Sequence, residues 1–182
     1  RSSEARVLAE IGRMPAAETQ AALSQLERAP DSSVVSELRS HLLLRWASTD
    51  PGAAFDYWQR NSDRIAWKAN VASDLFIQWA SRDPNAALAH WRLSEPELAD
   101  IDSAAGYALR QIFSQLARKN FTQAMVEAGQ FTGEYRQEAM QGVASVPVSD
   151  ENRGASLQNL LALPAGTDRG VALTAAVSSW FS

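Results

Sequence analysis

The chain has no cysteine, which excludes disulfides, thiolate nucleophiles and cysteine-ligated metals. It has only two histidines, His41 and His90. Neither has the His-x-x-x-His or Glu-x-x-His partner that would put two ligands on one helix face, so no metal and no cofactor are expected. Gly-rich phosphate loops, Gly-x-Ser-x-Gly elbows and Ser-x-x-Lys motifs are missing as well, and no catalytic residue can be nominated. The expectation is a protein that is not an enzyme. The net charge is −4 with acidic and basic residues interspersed, so there is no basic face for nucleic acid. No run approaches the roughly 18 to 20 apolar residues that span a bilayer, and membrane insertion is not expected. No segment alternates apolar and polar residues with the period of a half-buried strand. Only Lys68 and Lys119 among the 17 basic residues are lysines, a bias that points to a GC-rich bacterial genome. The composition fits a cytoplasmic protein or one exported to the envelope.

What the chain does have is a phrase written twice. Trp46-Ala47-Ser48-Thr49-Asp50-Pro51-Gly52-Ala53-Ala54-Phe55-Asp56-Tyr57-Trp58 returns as Trp79-Ala80-Ser81-Arg82-Asp83-Pro84-Asn85-Ala86-Ala87-Leu88-Ala89-His90-Trp91, 33 residues later. That offset is the length of one helical hairpin. A weaker copy, Leu116 to Ala128, follows after 37 residues, with the extra four falling around Ser94-Glu95-Pro96. A degenerate copy carries Ala139, Val143 and Val146 ahead of Ser149-Asp150. Near the end, Ala172, Ala176, Val177 and Trp180 repeat the spacing of Leu38, Leu42, Leu43 and Trp46.

Each Asp-Pro in the phrase reads as a helix start. The carboxylate of Asp50 or Asp83 accepts from the orphan amides of a new helix, and Pro51 or Pro84 takes the first helical position, where a missing donor costs nothing. The residue before a proline is pushed away from helical geometry, so the preceding helix ends near Thr49 and Arg82. Asn120-Phe121-Thr122 matches a glycosylation acceptor but stands where the Asp-Pro turn stands in the other copies. Ahead of each turn runs an apolar stripe at a four-residue step: Leu38, Leu42 and Trp46, then Val71, Leu75 and Trp79, then Ala108, Ile112 and Leu116. These are expected core positions. Helices are predicted at about 3-13, 16-28, 33-48, 51-61, 64-81, 84-92, 100-118, 121-129, 133-145, 150-162 and 168-181, with turns at the Pro, Gly and Asn-Ser-Asp breaks between them.

Positions that vary between copies are the candidates for recognition. Beside the core stripe run Val34, Glu37, His41 and Leu44, then Trp67, Asn70, Asp74 and Ile77, then Ala104, Tyr107, Gln111 and Ser114. Mixed polarity with interspersed aromatics suits a binding groove, because aromatics offer contact area at low entropic cost. Glu37, His41, Trp67, Asp74, Tyr107 and Gln111 are the candidate groove residues. Trp67 is expected to be partly exposed, whereas Trp46 and Trp79 are expected to be buried.

The phrase Trp-Ala-x-x-Asp-Pro-x-Ala-Ala-x-x-x-Trp, over residues 33 to 182, resembles the tetratricopeptide-like hairpin repeats of bacterial proteins. It is also similar in style to the superhelical domains of soluble lytic transglycosylases. The resemblance implies an all-α, right-handed solenoid of stacked antiparallel hairpins whose first helices line the concave face. The expectation is one α-helical repeat domain over residues 1 to 182, cut from a longer array and acting as a scaffold that binds a protein, a peptide or further repeats of its own chain. The alternative is a superhelical accessory region of a transglycosylase-like envelope enzyme whose catalytic domain lies outside this segment. In either case Ala172, Ala176, Val177 and Trp180 are expected to form an apolar edge at the carboxy-terminal end that docks back on the preceding hairpin, pairs with another copy of the chain in self-association, or takes the next repeat.

Overall fold

The computed structural model describes residues 2–98, 101–146, 150–163 and 165–180, and among these every regular element is helical. The α-helices are α1 (Ser2–Arg13), α2 (Ala16–Leu26), α3 (Ser33–Ala47), α4 (Pro51–Asn61), α5 (Lys68–Arg82), α6 (Pro84–Leu98), α7 (Asp102–Lys119), α8 (Phe121–Ala128), α9 (Gly133–Ala144), α10 (Asp150–Leu161) and α11 (Thr167–Trp180). A single 3-10 turn, Ser62–Arg64, precedes α5. The chain divides into two compact units, residues 1–79 and 80–182, with the division falling inside α5.

The helix starts follow the residues expected to make them. Asp50 Oδ1 accepts from the Ala53 amide at 3.0 Å. Asp83 Oδ1 accepts from the amides of Asn85 and Ala86 at 3.1 and 3.0 Å. Asn120 does the same work for α8, accepting from the Gln123 amide at 3.0 Å. Each acceptor satisfies amides that a helix leaves without an internal partner.

In the first unit α3 is the hub, packed by α1, α2 and α4. Leu42, Leu43, Trp46 and Ala47 are buried on α3, Ala54, Phe55 and Trp58 on α4, and Val71, Ala72, Leu75 and Phe76 on α5. The Phe55 ring lies 5.1 Å from Trp58 and 4.6 Å from Phe76. In the second unit α7 packs on α9, α9 packs on α11, and each of α6, α8 and α10 packs on the odd-numbered helix that follows it.

A tryptophan fastens each of the two copies of the phrase. Trp58 Nε1 donates to the carbonyl of Lys68 at 3.0 Å, and Trp91 Nε1 to the carbonyl of Ala105 at 3.3 Å. Lys68 and Ala105 are themselves 37 residues apart, the same offset as the second and third copies. The two bonds are therefore one bond repeated, from the last residue of the phrase to an equivalent backbone position on the following helix. Near the end of the chain Trp180 Nε1 donates to the Val146 carbonyl at 3.0 Å. A buried indole N–H must find an acceptor, and a helix carbonyl supplies one without disturbing the apolar contact around it.

The structure corrects several expectations. α5 begins at Lys68 instead of residue 64, because Ile65 is buried and the chain tightens into the 3-10 turn to place it, the Ile65 amide donating to Ser62 O at 3.2 Å. α6 runs on to Leu98 with Pro96 inside it. The proline sits in the last turn, and burial of Ser94 and Leu98 holds that turn against the solvent. Leu38 and Trp79 are half-buried, not core. Burial on α3 falls deepest on Arg39, Leu42, Leu43, Trp46 and Ala47, which leaves Leu38 at the margin. The end of the Trp79 ring covers Gly52, where an added Cβ would stand 3.1 Å from the indole, so this tryptophan caps the start of α4 at the surface. At the carboxy-terminal edge Ala172, Ala176 and Trp180 are buried with α11 packed on α9, while Val177 is exposed.

One buried arginine has no counterpart in the expectations. Arg39 is 1% exposed, at a position equivalent to Ala72, Leu109 and Met140 on later helices. Its Nη2 donates to the Leu26 carbonyl at 2.7 Å, and its Nη1 to Asp31 Oδ1 at 2.8 Å and to the Arg64 carbonyl at 3.3 Å. Arg64 Nε donates to the same carboxylate oxygen at 3.1 Å, and Arg64 Nη2 to the Glu27 carbonyl at 3.1 Å. Two guanidinium groups thus cover the last carbonyls of α2, where the helix dipole favours positive charge.

Gly142 marks a close approach of α9 to α7. A Cβ there would stand 2.2 Å from the Arg110 carbonyl oxygen and 2.9 Å from Phe113 Cβ on α7, so Gly142→Ala is expected to cost about 1–3 kcal/mol by forcing the helices apart. Gly154 on α10 meets nothing within 4 Å, so Gly154→Ala is expected to stabilise by about 0.5–1 kcal/mol through the better helix propensity of alanine. Calorimetry on the two variants checks both signs.

The Asp31 centre carries a pH dependence. Hydrogen bonds from Arg39, and then from Arg64, hold the Asp31 carboxyl below the usual carboxylate range. A carboxyl lowered on folding contributes stability that is present above its unfolded-state pKa and is lost as pH falls through the folded value. Asp31→Asn is therefore expected to flatten the acid arm of the stability curve below about pH 4 while leaving its slope near neutrality unchanged. Acid titrations followed by circular dichroism, run beside the parent protein, would overturn this if the two arms coincided.

Candidate binding face

Of the six candidate groove residues, Glu37, His41, Trp67 and Asp74 lie in the first unit, and Tyr107 and Gln111 in the second. All six are half-buried or exposed. In the first unit His41 and Trp67 meet edge to face, with ring centroids 5.9 Å apart and planes at 73°. Trp67 is 55% exposed and has φ +52°. A left-handed backbone is rare for a bulky residue and costs on the order of 1–3 kcal/mol, and it persists only where the surroundings enforce it. Here the Trp67 carbonyl accepts the first bond of α5 from Val71 at 3.0 Å, and the neighbouring Ala66 carbonyl accepts from Ser40 Oγ at 2.7 Å. The chain enters the helix pinned on both sides, and the indole is carried outward.

Asp74 stands two turns beyond Trp67 on the same stripe, exposed, and partial desolvation raises its carboxyl pKa. Neither Asp74 nor Glu37 makes an ion pair or side-chain hydrogen bond with the described residues. The position of Glu37 is repeated by Glu138 on α9, and there the carboxylate is partnered.

That partnership organises the face of the second unit. Arg110 Nε on α7 donates to Glu138 Oε2 at 2.6 Å, and this bond raises the guanidinium pKa further. Glu138 packs beside Gly106, where an added Cβ would stand 3.2 Å from Glu138 Cγ. Next to the pair is a concavity of about 680 Å³, lined by Arg110, Gln141, Ser145, Gly170, Val171, Thr174, Ala175 and Ser178. Aligning the sequences of α7, α9 and α11 on their buried residues orders this lining. Arg110, Gln141 and Thr174 hold one equivalent position on α7, α9 and α11, while Ser145 and Ser178 repeat Ser114. Val171 and Ala175 repeat Tyr107 and Gln111, so the hollow lies on the stripe that contains the candidate residues, one and two helices further along the chain. Small side chains at those later positions open the space that Tyr107 and Gln111 would fill.

Sequence reasoning places the stripe but does not single out Arg110, Gln141, Thr174 or Glu138. The available signal is the spacing of apolar residues in the sequence, carried past α7 to α9 and α11. Compared with protein-family models, curated proteins and solved structures, the chain matches none of them. Among the described residues there is also no group of three or more His, Asp or Glu placed to hold a metal ion, and no helix long and apolar enough to cross a membrane.

The outward position of Trp67 has a direct optical consequence. Replacing Trp67 alone by Phe is expected to remove the most acrylamide-quenchable part of the fluorescence, because Trp46, Trp58, Trp91 and Trp180 are buried and Trp79 is half-buried. Identical quenching of the variant and the parent would show that the accessible tryptophan lies elsewhere.

Proposed function

We propose that the chain is a non-enzymatic helical-repeat scaffold that binds a protein or peptide along the exposed stripe of its odd-numbered helices. In this reading the hairpins stack as a right-handed, tetratricopeptide-like α-solenoid, and the odd-numbered helices supply the recognition face. The repeated tryptophan-to-carbonyl bond and the sequential packing of α7, α9 and α11 support the stacked-hairpin part. The observation that carries the binding part is the hollow of about 680 Å³ on that stripe, large enough for a few peptide side chains and lined by hydroxyl, amide and guanidinium groups over an apolar floor. Such a lining can pair with a peptide backbone while the floor takes up side chains, and the varied residues along the stripe would set which sequence fits. Function is argued from this surface, since repeat architecture alone is shared by scaffolds with many different partners.

Panning the whole protein against a random linear peptide library is the test. Selected peptides are expected to bind Ala175→Glu, which fills the hollow from α11, at least about tenfold more weakly than the parent, as read by fluorescence anisotropy. Peptides that bound the filled variant with unchanged affinity would overturn the assignment of the binding face.

A further inference from the structure

We propose that the hollow on α7, α9 and α11 is a carboxylate-recognition site, with Arg110 as the anion-binding group. This deepens the peptide-binding reading above and rests on it.

The argument starts from the donors of one side chain. A guanidinium has five N–H groups in a fixed fork. In Arg110 the Nε–H is taken by Glu138 at 2.6 Å, whereas Nη1 and Nη2 make no hydrogen bond with the described residues. Glu138 therefore holds the plane of the guanidinium through its inner nitrogen and leaves the outer pair unused. Two parallel Nη donors match the two oxygens of a carboxylate, a geometry that a lysine ammonium cannot offer.

Apart from Glu138, which holds Arg110, the lining of the hollow adds neutral donors and no acid. Gln141 and Thr174 stand at the positions equivalent to Arg110 on the next two odd-numbered helices, and neither side chain has a partner among the described residues. Ser145 Oγ donates to the Gly142 carbonyl at 2.9 Å and stands on the same lining. Val171, Ala175 and Gly170 give an apolar floor beside the polar row.

Charge selects the class of anion. The Arg110 positive charge is largely balanced by Glu138, whose side chain is 25% exposed. A dianionic phosphate would face one compensated cation and one nearby carboxylate, whereas a singly charged carboxylate can share the fork at a smaller repulsive cost. The carboxylate could belong to the carboxy terminus of a peptide or to an Asp or Glu side chain within one. Both present the same planar anion.

The test uses the whole protein and three probes at constant ionic strength: acetyl-Gly-Gly-Leu with a free carboxy terminus, the same peptide as its carboxy-terminal amide, and acetyl-Gly-Asp-Gly amide. Binding is read by NMR from the Arg110 Nε–Hε and Gln141 side-chain amide resonances. The proposal expects at least one carboxylate probe to shift both resonances in a saturable way and the neutral amide to leave them unmoved. Which carboxylate binds identifies the source of the anion. Arg110→Gln is expected to weaken that binding by about tenfold or more, the size of a lost charge-assisted pair. Glu138→Gln, which keeps an acceptor for Nε but removes the opposing charge, is expected to strengthen it severalfold. Opposite shifts in the two variants are a result that general loosening of the helix pair would not produce. Equal binding of the neutral amide, failure of both carboxylate probes, or loss of binding in both variants would overturn the proposal. Library peptides that compete for the hollow but bind Arg110→Gln unchanged would overturn the carboxylate assignment while leaving the peptide-binding role intact.

Discussion

Each odd-numbered helix from α3 to α9 buries neighbouring residues turn after turn: Leu42 and Leu43 then Trp46 and Ala47 on α3, Leu75 and Phe76 on α5, Leu109, Ile112 and Phe113 on α7, Met140, Val143 and Ala144 on α9. A face this wide cannot be covered by one partner, since a single neighbouring helix shields only a narrow stripe. It needs flanking helices on more than one side, which for α9 are supplied by α7, α11 and the shorter α8. Fully burying a Leu, Phe or Met side chain contributes on the order of 1.5–3 kcal/mol, so the stability of any one helix lies in its neighbours. The cap residues, the glycine contacts and the tryptophan bonds all serve that packing.

Polar groups enter this scheme where helices end. The indoles of Trp58, Trp91 and Trp180 reach helix or turn carbonyls from within the apolar layer. Arg39 is the extreme case, a charged group inside the layer whose cost is offset by carbonyls at the end of α2 and by the Asp31 carboxylate. Arg45 works in the same manner, with Nε donating to the Met14 carbonyl at 3.0 Å and so tying α3 to the connection between α1 and α2. Removing one partner from such a centre leaves a buried group unpaired, which costs more than the centre contributes when whole.

The exposed stripe is what remains once packing has taken its share. Where the stripe carries large residues, as at Trp67 and Tyr107, they project from the surface. Where it carries small ones, as at Val171 and Ala175, a hollow opens beside Arg110. The Arg110–Glu138 pair sits at the junction of packing and recognition. It links α7 to α9, as Gly142 does, and it orients the one guanidinium in the hollow.

The repeated phrase makes the helices legible from the amino-acid sequence alone, because Asp-Pro dictates a helix start through backbone chemistry and a four-residue apolar step dictates which face turns inward. The exposure of Trp67 is legible too, from the lack of a repeat-wide demand for tryptophan at its position. The 3-10 turn before α5 and the extension of α6 through Pro96 are not, since they go with the burial of Ile65 and of Ser94 and Leu98, and burial is decided by tertiary packing. The same holds for Arg39, whose partners at Leu26 and Arg64 are 13 and 25 residues away, and for the hollow, whose lining comes from three helices. Local chemistry determines where a helix begins and which side is apolar. Only tertiary packing decides which of two adjacent stripes goes deepest, which polar side chain finds its partner, and where a gap between helices is left open.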